Sequence, residues 1–522
     1  MLPVTCCGCS IIFMFLPILY SEVHYGFRYL LPLYHKTEPE IIFDIPRQVL
    51  LTRSGNKIPI FLLIKDADKY PVNIENISIH VFCKKKHYKY CILKKIQCYD
   101  KIQYFEFPIN IAEQWINEYL TIYINFQANS IKYRNDNYFS DTPHNFKVFI
   151  SDKTSLFRKN WFIGDVHYHS VYTSDQVEFG APIGMTKKIA RTMGLDWFFV
   201  TDHSYDLDDY DDDFLKNDPK LLKWEALKAE CAKLSSDRIK IIFGEEVSVG
   251  NSKNENVHLL VVNQSEFIHG SGDSAENWFN NKPELKLKDI KADGLLVAAH
   301  PFEKIPYIQE KLLNRGNWSE TDLKDAKIKY IQIINGKSFK ENLLLINKYF
   351  RLLLNGNKYF ILAGNDAHGN FQFMKQISVP FMKLMCKKYQ LFAEYFTAFH
   401  YHENNPIEGI KNNQIVISNG PYVNFTIKNK QKEHNIGEII KLNKECDLLF
   451  YYEYRIDKIH GEISEICLIY GDLIEKKIKR IDLIDKFHVT NNSFFCFMLK
   501  TKERYLALTN PIWIEINIKE DK

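Results

Sequence analysis

Between residues 165 and 368 the chain sets imidazoles and carboxylates at the ends of apolar runs. They read Asp165-Val-His167-Tyr-His169, Asp175, Thr201-Asp202-His203, Glu246, His258, His300-Pro301 and Asp366-Ala-His368. Neutral imidazoles and carboxylates together suit divalent zinc, manganese or iron. A carboxylate can bridge two ions, so this donor set suits two or three metals that activate a water. A second His-x-His pair, His400-Tyr-His402, has no acidic strand-end partners and reads as packing or surface histidines.

Such residues act together only if the fold gathers them. From Asn160 the chain alternates short apolar runs with helical stretches. Strands are expected at Trp161–His167, Leu195–Thr201, Ile239–Glu246, Val257–Val262, Gly294–His300, Ile328–Ile334 and Tyr359–Asn365, and helices at Ile183–Met193, Leu221–Leu234 and Asn342–Leu354. Continuous apolar runs between helices predict a parallel sheet buried on both faces. In a closed barrel the carboxyl ends of the strands meet at one mouth, where these side chains would converge.

The flanks differ. Residues 38–150 hold β-rich runs such as Ile58–Ile64, Ile77–Cys83, Tyr104–Ile109 and Leu120–Phe126, broken by turn residues, which predicts a β-sandwich. Its His80, His87 and His144 read as surface or core histidines. Residues 410–522 repeat the pattern and predict a second sandwich. The expected architecture is therefore α/β, with a barrel over 160–400 between two β domains.

Taken in order, Asp165-x-His167-x-His169-Ser170, Ser174-Asp175, Thr201-Asp202-His203, Gly244-Glu-Glu246-Val-Ser248, His300-Pro301 and Asp366-x-His368 resemble the PHP superfamily (polymerase and histidinol phosphatase). The stretch Glu178–Pro182 and the late Asn419-Gly-Pro421 are similar to its carbaryl-hydrolase-like subgroup. The resemblance implies a distorted (β/α)7 barrel with a trinuclear centre. His167, His169, Glu246 and Asp366 would hold one ion; Glu246, His258 and His300 a second; Asp175, His203 and His368 the third. Strand alternation lets only one of Glu245 and Glu246 face the mouth, and the family's spacing selects Glu246. Asp165 and Asp202 would orient ligating imidazoles. Asp366 or His203 would pass a proton to the leaving group. Separately, Asn335-Gly336 ends an expected strand, where Asn335 could touch substrate or serve only the turn. The implied activity is a metal-dependent phosphoesterase on a small phosphorylated or nucleotide-like substrate. The alternatives are a carbamate, amide or ester hydrolase with the same centre, or a non-catalytic binding protein.

Composition narrows the partners. Lys+Arg 68 against Asp+Glu 64 gives a net charge of +4 over 522 residues, which disfavours nucleic-acid binding by bulk charge. A small-molecule substrate is expected. The acidic run from Asp206 to Asp213 reads as a solvated loop, His269 as part of a Gly/Ser-rich loop with a lid role as the lesser alternative, and Lys187, Lys188 and Arg191 as a solvated helix face. Cys83, Cys91, Cys98, Cys231, Cys386, Cys446, Cys467 and Cys496 are scattered without a CxxC pair and read as buried free thiols. Residues 1–37 form an apolar arm or signal segment; Met1–Ser21 carries no charge, yet no basic residue precedes its apolar run. Cytoplasmic placement is favoured over export, and membrane association depends on that arm. Oligomeric state is not specified.

Overall fold

A computed structural model describes residues 39–517, apart from 93, 138–143, 154–155, 174–179, 212, 214–215, 273–281, 374–388 and 431. The first β domain follows from two-residue alternation. In strand Tyr119–Ala128 every second side chain is buried, so Leu120, Ile122, Ile124 and Phe126 point inward. This strand lies between Phe146–Ser151 and Val72–Cys83, and Lys86–Ile92 forms the edge beyond. A three-stranded sheet of Glu40–Asp44, Phe61–Lys65 and Ile102–Glu106 covers the inner face. Ile41 and Phe43 of that cover share one core with Trp115 and Leu120. The result is a β-sandwich.

Seven strands then carry the site: β1 (Trp161–Asp165), β2 (Trp197–His203), β3 (Lys240–Gly250), β4 (Asn256–Val262), β5 (Leu295–Ala298), β6 (Tyr330–Asn335) and β7 (Phe360–Gly364). All are strongly buried, as their continuous apolar runs require. They lie side by side in chain order. Gly164 is needed where β1 meets β2, because a Cβ there would come 2.2 Å from the Trp197 ring. The helix Ile183–Met193 turns its Ile183, Met185, Ile189 and Ala190 face inward and ends at Gly194, whose φ is 97°. The helix Phe339–Leu353 starts from a capping box made by Ser338 and Glu341.

The expected closed (β/α)7 barrel is not formed. Of the described residues, 45% are in strands and 16% in helices. β4 runs antiparallel to both β3 and β5. The link from Gly250 to Asn256 is too short for a crossover helix, so β3 and β4 make a hairpin. On its other side β1 pairs antiparallel with Phe396–His400, not with β7. The ends of the curved sheet meet through a separate two-residue pair, Tyr168–His169 with Ala367–His368.

Through Phe396–His400 the sheet runs on into Ile415–Ser418, Leu506–Thr509, Ser493–Thr501 and Ile463–Asp472. A four-stranded sheet containing Tyr422–Asn429 and Cys446–Arg455 packs on it, with Phe425, Phe450, Phe495 and Phe497 between the layers. The C-terminal sandwich thus shares a sheet with the site-bearing strands. Among the described residues no helix is long and apolar enough to cross a membrane.

Candidate metal centre

Strand ends and the turns after them bring the predicted side chains together. His167 and His169 follow β1, His203 ends β2, Glu246 lies within β3, His258 within β4, His300 follows β5, and Asp366 and His368 follow β7. His300 and Asp366 both have positive φ, 30° and 51°, a costly backbone for non-glycine residues that these turns impose.

Glu246 is the hub. Its Oε2 lies 3.1 Å from His167 Nε2, 3.2 Å from His169 Nε2 and 3.3 Å from His203 Nδ1. Its Oε1 accepts from His258 Nδ1 at 2.6 Å and lies 3.1 Å from His300 Nε2. Asp366 Oδ1 is 3.1 Å from His169 and 3.4 Å from His167. His368 stacks on His169 with centroids 4.1 Å apart. Three groups place their ligand atoms within 4.8 Å of one another: His167, His169, Glu246 and Asp366; His203, Glu246 and His258; and His169, His203 and His368. Asp175 lies outside the described residues.

The charges are set by crowding. Burial alone would raise the Glu246 and Asp366 carboxyls, but the imidazoles beside them outweigh it and hold both well below the carboxylate range. Burial would lower His167, and Glu246 and Asp366 overcome it and raise that imidazole. His203 is pushed well below its ordinary value by burial and by His169. Neutral His203 thus keeps one N–H and offers one lone pair, and Asp366 is ionised.

Several expected roles change. Asp165 accepts from the backbone N–H of His167 at 3.1 Å and Ala393 at 2.9 Å and from Asn365 Nδ2 at 2.6 Å. Asp202 accepts from the Ser170 N–H and hydroxyl, both at 2.7 Å, and from the Thr173 N–H at 3.0 Å. Both carboxylates thus pin the turns that carry His167 and His169; they do not grip imidazole rings. Gln332 does that, with Oε1 2.8 Å from His167 Nδ1. Asn335 is 1% exposed and donates to Asp366 Oδ2 at 3.2 Å, so it holds that carboxylate in place. Gln390 donates to the same oxygen at 2.8 Å. Nothing in the sequence around Gln332 or Gln390 marks them. Arg315, equally unmarked, is held by a strand-like bridge to Asn256 and directs its guanidinium at His258.

The acidic run is not a fully solvated loop, since Asp206, Asp208 and Asp209 are buried and His269 bonds Asp208 at 3.0 Å. His400 bonds Gln414 at 3.1 Å while His402 is exposed, so that pair does not converge. Cys83, Cys98, Cys231, Cys467 and Cys496 are buried free thiols, but Cys91 is exposed; Cys386 lies outside the described residues.

Compared with models of known families and with curated proteins, the chain matches none. Among solved structures it is similar to a β-glucuronidase from Parabacteroides merdae, at 8% identity and a TM-score of 0.21, covering 93% of this chain and 65% of that one. A putative β-galactosidase from Bacteroides fragilis gives 8% identity and a TM-score of 0.19, covering 92% and 74%. The sporulation control protein Spo0M from Bacillus subtilis gives 6% identity and a TM-score of 0.15, covering 23% and 51%. The chain thus spans about half of the Spo0M structure and just under two thirds of the glucuronidase. Superpositions at these scores do not establish a shared fold.

The expected phosphoesterase is not upheld. Neither a family model nor a curated relative supports it. Arg315, beside the cluster, directs its guanidinium at His258. The carbamate, amide and ester alternatives rested on the same family likeness and lapse with it. A two-carboxylate glycosidase is equally unsupported by this cluster. It needs one protonated acid, and Glu246 and Asp366 are both held ionised.

Proposed function

We propose that the cluster around Glu246 binds two or three divalent metal ions and that the chain is a hydrolase working there. The observation that supports this is the convergence of two imidazoles and two ionised carboxylates, His167, His169, Glu246 and Asp366, within 4.8 Å inside the protein. Nitrogen and carboxylate oxygen donors of this kind fit zinc, manganese or iron. Ions bound there would supply Lewis acidity and make water a nucleophile at neutral pH.

This chain's own contribution is positioning. Glu246 turns one oxygen to His167, His169 and His203 and the other to His258 and His300, the disposition of a bridging carboxylate. Gln332 fixes the His167 ring, and Asn335 and Gln390 fix Asp366. Substituting Asn335 by Ala is expected to weaken metal retention about 10–100-fold, the usual cost of losing an outer partner. A chelator competition titration reads it, with an unchanged melting curve of the metal-free protein as control.

Elemental analysis tests the proposal directly. Protein purified without chelator should carry at least two divalent equivalents per chain, and the His167→Ala, His169→Ala double variant less than one. Turnover of a panel of p-nitrophenyl conjugates should vanish on chelation and return with added metal. Less than one equivalent in the unaltered protein, or full occupancy in the double variant, would refute it.

A further inference from the structure

The outward face of the N-terminal sandwich is basic. Residues 84–95 hold six lysines and no acid, and the edge strand Lys86–Ile92 falls within that stretch. Tyr88 and Tyr90 of that strand pack on the core, so His87 and Lys89 take the opposite face. Across the sheet they pair with Phe82 and His80, and His80 pairs with Tyr123. The strand Ile131–Arg134 adds the exposed Lys132 and the half-buried Arg134, whose guanidinium sits 3.9 Å above the Tyr123 ring. Two acids at the margin are already engaged: Glu118 with Lys84 at 2.8 Å and Glu75 with Lys95 at 3.0 Å. Lys85, Lys86, Lys89 and Lys132 are exposed.

We propose that this face docks on an anionic lipid surface, with Lys85, Lys89 and Lys132 set against the headgroups. Charge complementarity calls for a polyanion, and the shape of the face selects among polyanions. The rings stack on one another, Phe82 on His87 at 4.4 Å and 9° and His80 on Tyr123 at 4.5 Å and 11°. Their faces are therefore covered and only edges point outward, which leaves no platform for unstacked bases. The cations are mostly lysines, point charges that suit a plane of headgroups better than bidentate recognition of a fixed phosphate. Each such lysine held near an anionic membrane surface contributes about 1 kcal/mol of attraction.

The full chain is sedimented with vesicles of phosphatidylcholine alone and of phosphatidylcholine mixed with phosphatidylserine. Retention should require phosphatidylserine and fall as salt is raised. The K85Q/K89Q/K132Q variant, altered only at exposed side chains, should partition on the order of a hundredfold more weakly. If that variant does not fold, the lipid and salt dependence of the unaltered protein decides. Equal retention on both vesicle types, or an unchanged triple variant that melts normally, would overturn the proposal. So would capture by a single-stranded oligonucleotide without retention on the anionic vesicles.

Discussion

Replacing Glu246 by Gln should weaken divalent metal retention by more than about a hundredfold, beyond the 10–100-fold expected for losing an outer partner alone. The carboxylate is the single group shared by both flanks of the cluster: one oxygen serves His167, His169 and His203, the other His258 and His300. An amide keeps the shape but loses the charge, and it offers one oxygen where the site uses two. The metal-free protein should suffer as well. Burial alone would raise this carboxyl, and the imidazoles hold it well below its ordinary range, so its ionised form favours the fold. That contribution is present above the unfolded value of 4.5 and is lost as pH falls through the depressed folded value. Removing one partner of a buried pair costs about 3–5 kcal/mol. Melting curves of the metal-free proteins at neutral pH would show it. Normal metal content in the variant would remove Glu246 from the centre.

How much of this was legible depends on the range of the physics involved. His167, His169, Glu246 and Asp366 could be picked out because each sits at or beside a buried apolar run, where an unpaired polar side chain needs a reason. The helix Ile183–Met193 was legible for a local reason too, since its apolar spacing and Gly194 fix its extent. The topology was not. Apolar runs buried on both faces look alike whether parallel or antiparallel, and only the short link from Gly250 to Asn256 signals that β3 and β4 turn back on each other. Roles decided by distant partners were also hidden. Asp165 is fixed by Asn365 and Ala393, about two hundred residues on, and Gln332 reaches His167 across 165 positions. The burial of Asp208 was hidden as well, because composition cannot show that its charge is turned inward to His269 and Asn217.

Glu245, the neighbour that strand alternation turns away from the cluster, should behave in the opposite sense to Glu246. It is fully buried, and desolvation pushes its carboxyl up to about 8 despite bonds from the Ile268 N–H, Gln264 and Ser204. An acid whose folded value exceeds its unfolded value binds more protons in the fold. Its contribution is greatest at low pH and declines as pH rises from 4.5 to about 8. Glu245→Gln removes that dependence while keeping the acceptor for Ile268 and Gln264. Its new amide can donate to the Ser204 hydroxyl, which also reaches the Glu246 carbonyl at 3.2 Å. The variant should match the unaltered protein near pH 4 and exceed it above pH 8 by roughly 3–5 kcal/mol, because each tenfold change in proton affinity is worth about 1.4 kcal/mol. Denaturant melts of both metal-free proteins across this range measure the difference. A gap that stays constant with pH would mean that Glu245 is already ionised in the fold and that the bonds from Ser204, Gln264 and Ile268 outweigh its burial.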